Sequence, residues 1–296
     1  METKALALPQ KEKSTFSEYF GTSKPGIIGL VVVATLTGIF FGNMGTLPDW
    51  TLIASTLFGI GLSTAGSCML NNYHDRDIDK LMDRTSSRAL AKGTVSETNV
   101  LIAGLIFVTI SFVFMWEWVN PLASILTLAA AFGYVVLYGM IMKRRTPWAN
   151  QVGGIAGALP PMIGYAAVTG YVDMSAFILF AIMVVWQQPH ALSLALKYRE
   201  QYAKANIPVI PVAKGIYMTK VRIAVNCVIL AFVTILPYTM GMGGDLYLAT
   251  AILLNAIYIY KSVKFLLSDK KWDMPLFFYS MIYLVVLFGA LVVDFA

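Results

Sequence analysis

The chain has 296 residues, 58% of them hydrophobic and 13% charged, which is more apolar than the roughly 45–50% of soluble domains. That balance excludes a water-soluble enzyme, and two cysteines with no low-complexity repeat exclude a disulfide scaffold, a collagen-like chain or a disordered one. What remains is an all-α, polytopic integral membrane protein with 22 Lys and Arg against 16 Asp and Glu, a net charge of +6.

Residues 1–24 are polar and carry Lys4, Lys11, Lys13 and Lys24. They lack the apolar stretch of a cleavable signal peptide, so they read as a cytoplasmic N-terminal segment ahead of one membrane domain over residues 25–296. Crossing a ~30 Å hydrocarbon layer at ~1.5 Å per residue takes about 20 apolar residues. Nine runs meet that length, at 26–42, 51–70, 98–116, 119–141, 149–169, 174–196, 222–241, 246–264 and 275–294. They are expected to form a helical bundle around a central cavity that faces the cytoplasm.

The charges set the orientation. Every Lys and Arg falls in the N-terminal segment or in the connections after spans two, four, six and eight, while the opposite connections and the C-terminus carry only acids: Asp49, Glu117, Asp173, Asp245 and Asp294. The positive-inside rule then puts the N-terminus in the cytoplasm and the C-terminus outside, in the cell inner membrane. The basic excess is thus a topology signal surrounded by membrane lipid, and nucleic-acid binding is not expected. Cys68 and Cys227 lie within apolar runs and read as small buried side chains.

Where span two ends the chain reads Asn71-Asn72-Tyr73-His74-Asp75-Arg76-Asp77-Ile78-Asp79-Lys80-Leu81-Met82-Asp83-Arg84-Thr85. If the helix continues, Asn71, Asp75, Asp79 and Asp83 recur at i, i+4 and lie along one face. Stacked carboxylates repel, so the ladder calls for a cation. Mg²⁺ suits it, because that ion takes one or two carboxylates together with phosphate oxygens and water. The competing reading is a solvated helix end neutralised locally by Arg76, Lys80 and Arg84. Arg84, Arg88 and Lys92 follow directly, and Lys143, Arg144 and Arg145 arrive from another helix end. Acids and bases so close together tilt the balance toward a diphosphate held by metal and Arg or Lys.

Asn71-x-x-x-Asp75-x-x-x-Asp79 with Arg84-Thr85-x-x-Arg88 resembles the first aspartate-rich motif of the UbiA-type intramembrane prenyltransferases. The Asn-Asn-Tyr-x-Asp-x-Asp-Ile-Asp form is similar to the haem O synthase branch, the protohaem IX farnesyltransferases. Span six ends in Trp186-Gln187-Gln188-Pro189-His190, followed by Asn206-Ile207-Pro208-Val209-Ile210-Pro211, which resembles two further segments of that branch. Quinone-type relatives carry a second pair of carboxylates here. In this chain Glu200 is the sole acid between Asp173 and Asp245, and Gln201 stands where many relatives in the branch have Asp.

The resemblance implies transfer of the farnesyl group of farnesyl diphosphate to a vinyl group of haem B, giving haem O with addition of water. It implies Mg²⁺ on Asn71, Asp75 and Asp79, diphosphate contacts from Arg84, Arg88, Lys143 and Arg144, and haem positioned by His190 and Trp186. A haem A synthase or a terminal oxidase assembly would be the protein partner. Two alternatives stand beside it: a prenyltransferase acting on an aromatic quinone precursor, and a non-catalytic haem-binding or transport protein. Gly153-Gly154-x-x-Gly157 reads as a close-packing stripe.

Overall fold

In the computed structural model, which describes residues 15–295, the chain is helical and contains no strand among the described residues. Lys4, Lys11 and Lys13, and most of the expected N-terminal segment, lie outside the described residues. The helices are α1 (Phe16–Thr22), α2 (Pro25–Gly42), α3 (Trp50–Asp79), α4 (Ala89–Lys92), α5 (Glu97–Trp118), α6 (Pro121–Phe132), α7 (Ala149–Gly157), α8 (Leu159–Thr169) and α9 (Met174–Lys197). They continue with α10 (Arg199–Lys204), α11 (Ile210–Ala213), α12 (Gly215–Val233), α13 (Leu236–Thr239), α14 (Asp245–Leu266) and α15 (Met274–Val293). Residues Gly133–Met142 extend α6 as a π-helix. Among the described residues, nine of these helices or continuous helix pairs are long and apolar enough to cross a membrane.

Local chemistry sets the starts. Asp49 accepts from Thr51 N–H at the head of α3, Asn120 from Ala123 N–H at α6, and Asp173 from Ser175 and Ala176 N–H at α9. Each satisfies amides that have no partner in the first helical turn. Pro25 and Pro121 sit at first-turn positions, where a missing N–H costs nothing. Between α7 and α8 the helix is interrupted at Ala158, just ahead of Pro160 and Pro161.

Packing relies on close backbone approach, as expected where apolar burial from water gives no drive between helices. Gly38 of α2 rests on the Pro161 carbonyl of α8 with no room for a Cβ, and Gly164 of α8 faces the Thr35 carbonyl in the same way. The largest core cluster is in the second half of the chain, where Leu179, Ile182 and Trp186 of α9 meet Ile223 and Leu230 of α12, Tyr258 of α14 and Tyr283 and Leu287 of α15.

Two boundaries differ from those expected. Helix α3 continues past residue 70 to Asp79, carrying the acidic stretch as one unbroken helix. Span seven begins at Gly215 and not at 222, so Lys220 and Arg222 are helical residues. Lys220 is buried, donates to the Ser268 carbonyl at 2.6 Å and lies over the Phe265 ring, while the Arg222 guanidinium stacks over Trp148. Their charges are absorbed inside the bundle edge, which a count of apolar residues does not foresee.

Candidate active site

The acidic ladder forms because α3 stays helical to Asp79. Asn71, Asp75 and Asp79 are all buried, Asp75 with only 1% of its surface exposed. Asp83 lies beyond the helix end in a turn and is exposed, so the ladder has three rungs and not the four the spacing predicts.

Each rung meets a cation or hydroxyl from another part of the chain. The Arg88 guanidinium pairs with Asp79 at 2.6 Å, and Lys143 pairs with Asp75 Oδ2. Lys24 Nζ donates to Asn71 Oδ1 at 3.0 Å, and the Tyr134 hydroxyl reaches the same oxygen at 3.3 Å. Burial pushes the Lys24 ammonium down to about 8. Removing a cation from water disfavours its charged form, and the nearby acids only partly offset this. The Thr85 hydroxyl donates to the Asp79 carbonyl and helps fold the segment carrying Arg88 back over the ladder.

The π-helical winding determines which side chains face α3. With i→i+5 bonding a turn takes more than four residues, so Tyr134, Tyr138 and Lys143 share one face. The two tyrosine rings stack 5.7 Å apart, and Lys143 N–H closes on the Tyr138 carbonyl at 2.9 Å. In an α-helix, five residues of separation would rotate Lys143 roughly 140° from Tyr138. Arg144, expected on the diphosphate, is turned outward instead. It donates to both carboxylate oxygens of exposed Asp77, at 2.7 and 2.6 Å, and to the His74 carbonyl at 2.9 Å.

Arg84 sits in the connection after α3, its guanidinium 4.9 Å from the Tyr198 ring centroid. Gln201 bridges the same connection to α10, accepting from Arg84 N–H at 3.2 Å and donating to Asp83 Oδ2 at 3.4 Å. The amide at this position therefore ties the connection after α3 to α10.

Directly beyond the first rung lies an apolar cavity of about 140 Å³ lined by Ile27, Ile60, Ser67, Cys68, Tyr134 and Ile163, among others. Tyr134 belongs to both, lining the cavity and touching Asn71. Gly153 is pressed against the Tyr138 ring, and Gly154 and Gly157 against the Gln187 amide, so this stripe does serve close packing.

His190 lies elsewhere, between α9 and α15. Its ring stacks between Trp186 and Phe277, with centroids 4.8 and 4.7 Å away, and Nδ1 is 2.7 Å from Ser280 Oγ. Ser280 Oγ also lies 2.5 Å from the Phe277 carbonyl, an acceptor for its proton; a hydroxyl that donates there is left to accept from Nδ1. In that arrangement the imidazole would carry its proton on Nδ1 and present a lone pair at Nε2. Trp186 Nε1 donates to the Ser280 carbonyl at 2.7 Å, completing the clamp. Helix α9 passes through Pro189 without a break.

The donor set can be tested against a divalent cation on its own chemistry. Asp75 Oδ1 is buried and meets no partner, and the Asn71 side-chain nitrogen is likewise unmatched. Among the described residues no three or more His, Cys, Asp or Glu come together in a group that could hold a metal ion by themselves. Asp75, with its one free oxygen, and Asp79 beside it fit Mg²⁺ completed by phosphate and water, rather than a metal held by protein alone, and the unmatched Asn71 nitrogen is a donor open to a phosphate oxygen.

The sequence reading missed Lys24, Tyr134 and Tyr138 as parts of this site. The signal for Lys24 was weak but present: it is the last cation before the first span and immediately precedes Pro25, with φ +54° turning the chain at the head of α2.

A model of the UbiA prenyltransferase family matches residues 31–287. The chain is 45% identical over 282 residues to the protoheme IX farnesyltransferase of Aquifex aeolicus (strain VF5), covering 95% of this chain and 96% of that protein. It is 38% identical over 289 residues to the protein of the same name from Stenotrophomonas maltophilia (strain R551-3), covering 95% and 97%. Among solved structures, a digeranylgeranylglyceryl phosphate synthase aligns with TM-score 0.79 at 18% identity over 94% of this chain and 97% of that one. A UbiA homologue from Archaeoglobus fulgidus bound to GPP and Mg²⁺ aligns with TM-score 0.65 at 15% identity over 93% and 99%. These structural likenesses concern the fold.

Proposed function

The chain belongs to the UbiA prenyltransferase family, and from that premise we propose that it transfers the farnesyl group of farnesyl diphosphate to a vinyl group of protohaem IX, releasing diphosphate. The observation that carries the reading is a buried ladder of acids and cations opening directly onto an apolar cavity. It joins a place for a polyphosphate to a place for its hydrocarbon tail. The named relatives supply the substrate pair.

Asn71, Asp75 and Asp79 would hold Mg²⁺, which supplies positive charge to the oxygen that leaves with the electrons of the allylic C–O bond. Lys24, Arg88 and Lys143 contact the diphosphate and stabilise the charge that develops on it, and Arg84 closes the mouth from the loop side. An arriving polyphosphate restores the favourable field that burial denies Lys24. Arg144 holds α3 against the π segment through Asp77. The cavity excludes bulk water from the allylic cation, and the Tyr134 ring that lines it is available to that cation.

A cavity of this size takes a guest of about one benzene ring, so it accommodates roughly one isoprene unit. The remaining units of a farnesyl chain require the surrounding helices to part or the tail to run toward lipid. His190, with Nε2 free and Nδ1 anchored, positions the haem through its iron. The product would serve a haem A synthase or a terminal oxidase in the cell inner membrane, with the charged end of the bundle in the cytoplasm.

The test is to incubate purified protein with farnesyl diphosphate, Mg²⁺ and either haem or an aromatic quinone precursor, and to look for the farnesylated product by mass. Formation of farnesylated haem supports the reading; prenylated quinone precursors with no haem product overturn it. His190→Ala is expected to weaken haem binding and change the haem absorption spectrum, while KM for farnesyl diphosphate stays near the unmodified value. Unchanged haem affinity and spectrum would remove His190 from the acceptor site.

A further inference from the structure

The ladder on α3 continues deeper than its acids. Ser63 and Ser67 precede Asn71 at the same four-residue spacing, and both are buried. Both line the apolar cavity beside Cys68 and Tyr134. Their neighbours show what a hydroxyl in such a helix ordinarily does: Thr56 donates to the Leu52 carbonyl and Thr64 to the Ile60 carbonyl, each at 2.8 Å. Ser67 does not. Its Oγ is buried and meets no hydrogen-bond partner, a state that costs free energy unless the cavity brings a partner.

The proposed reaction requires such a partner. When C1 of the farnesyl group bonds to the terminal vinyl carbon, the vinyl π electrons form the new C–C bond and the adjoining carbon becomes a cation. That cation ends in one of two ways. Water can add through oxygen and lose a proton to diphosphate or solvent, giving an alcohol, or a neighbouring C–H can lose its proton, giving an alkene one water lighter.

Ser67 lies one turn, about 6 Å along the axis, from Asn71. With the diphosphate on the ladder, this is the level at which the reacting carbons enter the cavity. A buried water needs two to four polar partners, and this wall supplies Ser67, Ser63 and the Tyr134 hydroxyl among otherwise apolar surfaces.

We propose that Ser67 is a positioning residue that holds the water molecule adding to the acceptor cation, so that the product leaves as the alcohol. This rests on the farnesyl-transfer reading above.

The experiment compares unmodified protein with Ser67→Ala and Ser67→Thr, each given haem, farnesyl diphosphate and Mg²⁺ in ordinary and ¹⁸O-labelled water, with products resolved by mass. Unmodified protein is expected to give an alcohol labelled by solvent. Losing one hydrogen bond to the water is worth about a tenfold change in partition, so Ser67→Ala should raise the ratio of alkene to alcohol about tenfold, and Ser67→Thr should restore it. The ratio is independent of how much active protein is recovered, and Ser67→Cys replaces the alanine variant if that fails to accumulate. An unchanged ratio in Ser67→Ala, an alanine-like ratio in Ser67→Thr, or an unlabelled alcohol overturns the role of Ser67 while farnesyl transfer stands. Absence of any farnesylated haem from unmodified protein overturns both.

Discussion

Asp75→Asn is expected to lower farnesyl transfer roughly 10²–10³-fold or more, the scale on which removing a single group that stabilises transition-state charge is felt. The substitution keeps the size of the side chain and one oxygen but removes the charge. Asp75 is the rung with an unmatched buried oxygen on one side and the Lys143 ammonium on the other. It is therefore asked to hold a divalent cation and to keep a buried lysine compensated, and an amide does neither well. The loss should appear mainly in kcat, because the developing charge on the leaving oxygen is greatest in the transition state. Added Mg²⁺ should not restore it. Turnover within a few-fold of the unmodified rate, in a variant that inserts and binds farnesyl diphosphate normally, would remove the ladder from the chemistry.

Much of this was legible in the chain itself. Nine apolar runs with all basic residues in alternate connections specify the number and order of the spans, because the bilayer imposes one length and one charge asymmetry. The i, i+4 recurrence of Asn71, Asp75 and Asp79 named the acidic side of the site, since helical periodicity is local information. The cationic side was legible only in part. Arg88 is close to Asp79 in sequence, but Lys24 meets Asn71 across 47 positions and Tyr134 across 63, and no local pattern encodes those meetings.

The π segment was the deeper obstacle. Gly133–Met142 has the composition of any apolar span, and its widened turns arise in the folded helix where Tyr138 packs on Gly153 and Lys143 finds Asp75. Likewise Lys220 and Arg222 looked like loop charges until the structure supplied a carbonyl and two aromatic faces for them. The contact between His190 Nδ1 and Ser280 Oγ is a tertiary fact of the same kind, made across 90 positions.

Lys143→Gln and Arg144→Gln, made side by side, turn that winding into a measurement. These adjacent cations are indistinguishable in sequence, and both were expected on the diphosphate. In the structure Lys143 points inward to buried Asp75. Burial works against its charge, but facing Tyr138 and Asp75 outweigh it and raise the ammonium pKa, so it stays cationic at neutral pH. Breaking a buried pair by removing one partner costs about 3–5 kcal/mol, and here it also deletes a diphosphate contact. Lys143→Gln should therefore lose activity roughly 10²-fold or more and melt at a lower temperature. Arg144 meets an Asp77 side chain that is 60% exposed, and an exposed pair is worth about 0–1 kcal/mol. Arg144→Gln should thus keep activity within roughly fivefold, which is what 1 kcal/mol amounts to. Were the segment α-helical in the membrane, Lys143 would swing away from Tyr138 and the two variants would lose their contrast. Equal losses, or the larger loss in Arg144→Gln, would overturn the assignment of Lys143 to the site and the π-helical geometry that puts it there.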